Sequence, residues 1–141
     1  MNQTLIEDVR QSVMQSFGDV HGIYYPTTMV NYPNITVVDI EHQVEPFVSI
    51  SLDLSKVEKA ALGDKELLVP GVLEVYFYYR EGTGTQDSMI YTDTLNAHLC
   101  MQQVGAIYYH AAKPMRVTTF PAWVGTLNYI KFDVSSALAC G

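Results

Sequence analysis

Basic residues are scarce in this chain: eight Lys and Arg stand against fifteen Asp and Glu, a formal charge of −7 over 141 residues. No window is rich in Lys or Arg, so the electrostatic footprint of a nucleic-acid-reading protein is missing. Cysteine is rarer still. Cys100 and Cys140 are the only two, too few for a disulfide framework and without metal-ligand spacing, so free thiols are expected. No run approaches the roughly 18 consecutive apolar residues of a membrane span, and no membrane partner is expected. The first eight residues, Met1 to Asp8, lack the basic start and apolar core of a secretion signal. The expectation is a soluble domain made inside a cell, in which Asn34-Ile-Thr36 is a polar turn and not a glycosylation acceptor.

What is present suits one globular domain. Hydrophobic residues make up 48% of the chain, and a chain of this length buries roughly 68–70% of its unfolded surface. Near the N-terminus Thr4-x-x-Glu7 has the spacing of a capping box. Behind it Leu5, Val9, Val13 and Phe17 recur every four residues, widened by Ile6 and Met14, which predicts an amphipathic helix of about four turns. Gly18 is placed to end it. Prolines at 26, 33 and 46 then break up the segment from Asp19 to Pro46, with Ile35–Val38 as a short edge strand.

Phe47 to Leu54 alternates, Val48, Ile50, Leu52 and Leu54 against Phe47, Ser49, Ser51 and Asp53, as a strand with one buried and one mostly wet face does. Ser55 to Pro70 reads as a charged projecting loop carrying Lys56, Glu58, Lys59, Asp64, Lys65 and Glu66. Val72 to Tyr79 is a central strand, Leu73, Val75, Phe77 and Tyr79 on one face and Val72, Glu74, Tyr76 and Tyr78 on the other. A face that carries Glu74 among tyrosines is a candidate subunit surface. A second helix is expected from Thr85 or Asp87 through Tyr91, Leu95 and Leu99. Strands follow near 106–109 with 115–119 and at 127–134, then a loose tail at 135–141. This order predicts a single α+β domain over 1–134, a mostly antiparallel sheet with two helices packed on one face.

Chemistry-bearing patterns are weak. Gly82-Thr-Gly84 invites a phosphate-loop reading, but Thr85-Gln86 stand where that loop needs Lys and a hydroxyl. Asp87 occupies the third glycine of a dinucleotide fingerprint, so Gly82 and Gly84 are assigned to a structural turn. His21, His42, His98 and His110 are scattered. Asp39, Glu41, His42 and Glu45 make the densest polar group, better explained as a solvated loop than as a divalent-ion site. Ser49 and Ser88 lack a nucleophile elbow. No catalytic residue, cofactor or metal is therefore expected. Tyrosine is abundant, ten residues with pairs at 24–25, 78–79 and 108–109, and one ring of each pair should face outward.

Taken in order, these features resemble the bacteriophage tail terminator family over about residues 1–134. They are the amphipathic N-terminal helix, the Tyr32-Pro-Asn34 loop and the strand after Pro46-Phe47-Val48. The charged loop, the aromatic strand 72–80 with its Arg80–Thr85 turn, the helix behind it and the C-terminal strands complete the series. The resemblance implies a homo-oligomeric ring, hexameric in the family, that docks on the last layer of tail-tube protein and halts its polymerisation. Its other face would meet the head-completion (neck) protein, with genomic DNA passing through the lumen without sequence-specific binding. Such a protein works in the virion, at the head–tail interface, after assembly in the host cytoplasm. Exposure places ring contacts at Glu74, Tyr76 and Tyr78 and tube or neck contacts on the Lys56–Glu66 loop. Another neck or tube-like structural protein is the nearest alternative. A small ligand-binding or enzymatic domain using the Asp39–Glu45 loop is the alternative from a different class.

Overall fold

Residues 2–32, 45–54, 68–81, 86–105, 107–120 and 123–135 are described by a computed structural model. They run α1 (Asn2–Tyr24), β1 (Met29–Asn31), β2 (Phe47–Asp53), β3 (Leu68–Arg80), α2 (Gln86–Leu99), β4 (Gln103–Val104), β5 (Ile107–Tyr109), β6 (Lys113–Phe120) and β7 (Trp123–Ser135). The strands form one sheet in the order β1-β2-β3-β7-β5-β4, with β6 also on β7. β1 and β2 are parallel, and the other pairs are antiparallel. The fold is a single α+β domain with a mostly antiparallel sheet.

Period-2 alternation decides which side chains meet the helices. From β3, Leu73, Val75, Phe77 and Tyr79 enter one core with Ile130, Phe132 and Val134 of β7 and Val48 and Ile50 of β2. Val9, Val13 and Phe17 of α1 and Tyr91, Leu95 and Leu99 of α2 close over them. Both helices therefore lie on one sheet face, as the sequence pattern implied. Burying side chains of this size stabilises by roughly 1.5–3 kcal/mol each.

Several boundaries differ from the sequence expectation. α1 does not stop at Gly18 but runs on to Tyr24. A glycine inside a helix costs only about 1 kcal/mol against alanine. Continuing the helix buries His21 one turn beyond Phe17, and the two rings stack at 5.5 Å. Packing outweighs propensity. The helix also starts at Asn2, so Thr4 lies inside it and does not cap it. The central strand is longer than 72–79, and its first residues, Leu68 to Pro70, are strand where a loop was expected. The last strand likewise begins at Trp123 and takes in Ser135. β5 and β6 do not pair with each other. They share the outer edge of β7 end to end, β5 against 132–134 and β6 against 123–129, with an irregularity between Lys113 and Arg116. The expected strand at 35–38, the loop 55–67 and residues 136–141 lie outside the described residues.

On the sheet face away from the helices, Tyr78 lies across its cross-strand partner Gly125. A Cβ at Gly125 would collide with the Tyr78 ring. Gly125→Ala should therefore cost about 1–3 kcal/mol through overpacking. Gly22, exposed on α1, has open space where a Cβ would stand, and Gly22→Ala should add about 0.5–1 kcal/mol through helix propensity. Urea unfolding midpoints of the two variants should move in opposite directions.

Candidate functional site

Two features stand out, an aromatic cluster with an adjoining cavity on the helix side and a ring-rich patch on the other face of the sheet. The cluster is built where the C-terminal turns of α1 meet the first turns of α2. His21 is 6% exposed. Its Nε2 lies 2.8 Å from the Thr28 carbonyl oxygen, which can only accept, so Nε2 carries a proton and donates. In the neutral ring Nδ1 is then the acceptor, taking a hydrogen bond from the Tyr91 hydroxyl at 2.8 Å. Tyr25 and Phe77 pack on the Tyr91 ring at 4.7 and 5.0 Å. Burial pushes the His21 pKa down, partly opposed by the Thr28 carbonyl. Burial pushes the Tyr91 phenol far up, with the neighbouring Tyr25 and Tyr32 hydroxyls adding to it. Both groups are held neutral, and they tie α1, α2 and the entry to β1 together.

Beside this cluster opens a cavity of about 420 Å³. Tyr25, Phe77, Ile90 and Pro46 give it apolar walls, and Thr27, Thr28, Glu45 and Asp87 supply its polar atoms. Glu45 and Asp87 are both exposed. Sequence reasoning singled out Glu45 within the 39–45 group but missed Asp87, Tyr25 and Thr28, which only the fold brings to it. Asp39, Glu41 and His42 lie outside the described residues.

The sheet face opposite the helices carries the candidate ring residues. Tyr76 and Tyr78 are half-buried and stack at 5.9 Å with an interplanar angle of 5°, and the Tyr76 hydroxyl donates to Glu74 at 3.3 Å. Phe47 stands on this face too, yet it is buried, packing edge-on against Trp123 at 5.0 Å. Phe47 is the exception on a face of β2 that is otherwise mostly wet, as the alternation implied, with Ser49 half-buried and Ser51 and Asp53 exposed. The Arg80 guanidinium sits 4.8 Å over Trp123 and the Lys113 ammonium 5.0 Å over Tyr129, cation–π contacts. Such contacts stabilise by roughly 0.5–1 kcal/mol where exposed. The structure brings Glu74, Tyr76 and Tyr78 together with Trp123, Tyr129 and these cations. The turn glycines Gly82 and Gly84 and the loop residues Lys56, Glu58, Lys59, Asp64, Lys65 and Glu66 lie outside the described residues.

Other candidates are accounted for by packing. Ser88 is fully buried and Cys100 is buried just after α2. His98 stacks on Tyr24 at 4.4 Å, and His110 Nε2 meets Asp133 at 2.6 Å. Among the described residues no group of three or more His, Cys, Asp or Glu could hold a metal ion, and no helix is long and apolar enough to cross a membrane. Of each tyrosine pair one ring is the more buried, Tyr25 against Tyr24, Tyr79 against Tyr78 and Tyr109 against Tyr108.

No protein-family model and no curated protein matches this chain. Six chains of solved structures do. One of them, whose name states no function, superposes with a TM-score of 0.65 at 19% identity over 96% of this chain and 96% of its own. At that identity the likeness shows the fold alone.

The buried His21–Tyr91 pair predicts stability limits on both sides of neutrality. The folded pKa of His21 lies below its unfolded value of about 6.5. Its contribution is therefore intact above pH 6.5 and is lost as pH falls toward the folded pKa, because the unfolded chain takes up the proton first. For Tyr91 the folded pKa lies above the unfolded value of about 10, so stability holds below pH 10 and is lost as pH rises beyond it. Unfolding free energies measured by urea from pH 8 down to 5 and up to 11 should fall at both ends. His21→Gln should flatten the acid limb and Tyr91→Phe the alkaline one.

Proposed function

We propose that this protein is a bacteriophage tail terminator, a ring that caps the head-proximal end of a tail tube, stops tube polymerisation and offers a docking surface to the head-completion protein. The observation that carries this reading is the second sheet face, where half-buried Tyr76 and Tyr78, linked to Glu74, stand with no described helix over them. Aromatic side chains of this kind give large contact area at low rotamer cost and are enriched at protein interfaces. In a ring of six copies this face is the subunit contact, and the Lys56–Glu66 loop meets the tube or the neck. The formal charge of −7 suits a conduit through which DNA slides without adhering. The role asks for no catalytic residue, cofactor or metal, and its place is the head–tail interface of the virion after assembly in the host cytoplasm.

The cavity beside Glu45 favours a second reading, a small ligand-binding domain. Its volume falls in the range of small-molecule sites. Against it, His21 is committed to internal hydrogen bonds through both ring nitrogens, and the fully buried Ser88 offers no nucleophile to a ligand. A neck or tube-like subunit is the nearer relative of the first reading. A tube subunit stacks into filaments, whereas a terminator stops at one ring.

Light scattering and negative-stain imaging, with the protein alone and mixed with tail-tube subunits, separate these outcomes. A six-subunit ring that fixes tube length is expected, and Glu74→Arg combined with Tyr76→Ala should reduce it to smaller species. Filaments would indicate a tube subunit. A monomer that ignores tubes at every concentration would leave the terminator reading without support.

A further inference from the structure

We propose that the stretch from Asp19 to Asn31 is an acid-released strap. When His21 takes up a proton, α1 shortens to end at Gly18 and β1 lifts from the sheet edge, while the β3–β7 ribbon stays folded. This device does not depend on the ring reading above.

Little of the strap is buried beyond His21. Of residues 22–31 only Val30 is buried, and Ile23 is 70% exposed. Its turn bonds, Tyr25 N–H to the His21 carbonyl at 2.7 Å and Thr28 N–H to the Tyr25 carbonyl at 3.2 Å, stay within the segment. It is tied to its neighbours by a three-residue ladder between β1 and β2, by Tyr24 stacked on His98, and by His21 and Tyr25 against Tyr91. Upstream, Val9, Val13 and Phe17 are fully buried and anchor α1 without His21. Gly18 and Gly22 lower the helix propensity of the end between, so an opening that starts in the strap can stop at Gly18.

His21 is the buried tie that can take up a proton near neutrality. Phe17, Tyr25 and Tyr91 stand around its ring at 5.5, 6.3 and 5.8 Å. Nε2–H is already given to the Thr28 carbonyl, so the added proton goes to Nδ1 and meets the hydroxyl hydrogen of Tyr91. That hydroxyl must then turn away, with Tyr91 only 2% exposed, and its hydrogen is orphaned beside a buried charge. The groups facing His21 supply no counter-charge: Phe17 from α1, Tyr91 from α2, and Tyr25 and the Thr28 carbonyl from the strap. The described ion pairs, Arg10 with Glu7 and His110 with Asp133, do not involve it. Asp19 on α1 and the cavity residues Glu45 and Asp87 are exposed, where solvent screens them. Burial accordingly favours the neutral ring. Moving the charged ring into water unwinds the last turns of α1 and carries Tyr25, Thr27 and Thr28 out of the cavity wall.

Hydrogen exchange of the intact chain, resolved by residue and corrected for intrinsic rates, tests this at pH 7.5 and 5. The opening constants of the Tyr25 and Thr28 amides should rise by up to about 30-fold at pH 5, the limit set by an open-state pKa of about 6.5. In low urea these openings should depend less on denaturant than those of Leu73 and Ile130 in the β3–β7 ribbon, which report unfolding of the whole domain. Tyr91→Phe should raise strap opening at both pH values and keep the acid response, and His21→Gln should abolish that response. Equal protection of the strap at pH 7.5 and 5, or an acid response that survives in His21→Gln, overturns the proposal. So does a strap that opens only together with the ribbon, at the same denaturant dependence, because that is global unfolding and not release.

Discussion

The pairing of β3 with β7 is the constraint on which the rest of the structure depends. Both strands are 13 residues long, and they stay in register from Leu68 opposite Ser135 to Arg80 opposite Trp123. Every other large part is referred to this ribbon. β2 is laid on the free edge of β3, while β5 and β6 occupy the free edge of β7. The register also sorts the side chains. A slip of one residue would turn Leu73, Val75 and Phe77 away from the helices and drive Glu74 into the core, so burial enforces the pairing that creates it. Two glycines let large rings lie flat on this ribbon, Gly71 under Phe132 on the helix side and Gly125 under Tyr78 on the other.

The helix layer is held by more than apolar contact. His21 and Tyr91 join α1 to α2 through a buried hydrogen bond, and Asn128 of β7 donates to Asn96 of α2 at 2.7 Å. Buried polar groups are costly when unpaired and specific when paired, so these bonds fix how the helices sit on the sheet. Thr28 serves twice, its carbonyl accepting from His21 and the residue itself forming part of the cavity lining. The rigidity of the cluster is thereby passed to the cavity wall, with Tyr25 and Phe77 as the shared side chains.

Seen from outside, the domain has two unlike faces. The helix side presents an aromatic recess with carboxylates, and the sheet side presents stacked tyrosines beside lysines and Arg80 held over aromatic rings. An asymmetric subunit of this kind suits head-to-tail association. The proposed role as a terminator ring draws on that asymmetry and on the resemblance in the sequence, while the likeness to a solved structure speaks only for the fold.

Much of the architecture was legible from local pattern. The four-residue recurrence of Val9, Val13 and Phe17, the alternation from Val72 to Tyr79 and the spacing of Tyr91, Leu95 and Leu99 each report which side of an element is buried, because helix and strand have fixed periods. What the pattern could not supply was anything set by partners distant in sequence. Gly18 looked like a stop until the burial and hydrogen bonds of His21 gave the helix reason to continue past it. Phe47 looked wet until Trp123 covered it, and β5 and β6 looked like partners until β7 claimed the edge of both. The recess that joins Tyr25, Glu45, Phe77 and Asp87 draws on four separate stretches of chain. The sequence by itself therefore determined the elements and their buried faces, since neighbouring residues impose those. Only the tertiary structure decided strand order, helix ends and the two outer surfaces, since these follow from long-range burial and pairing that no local period encodes.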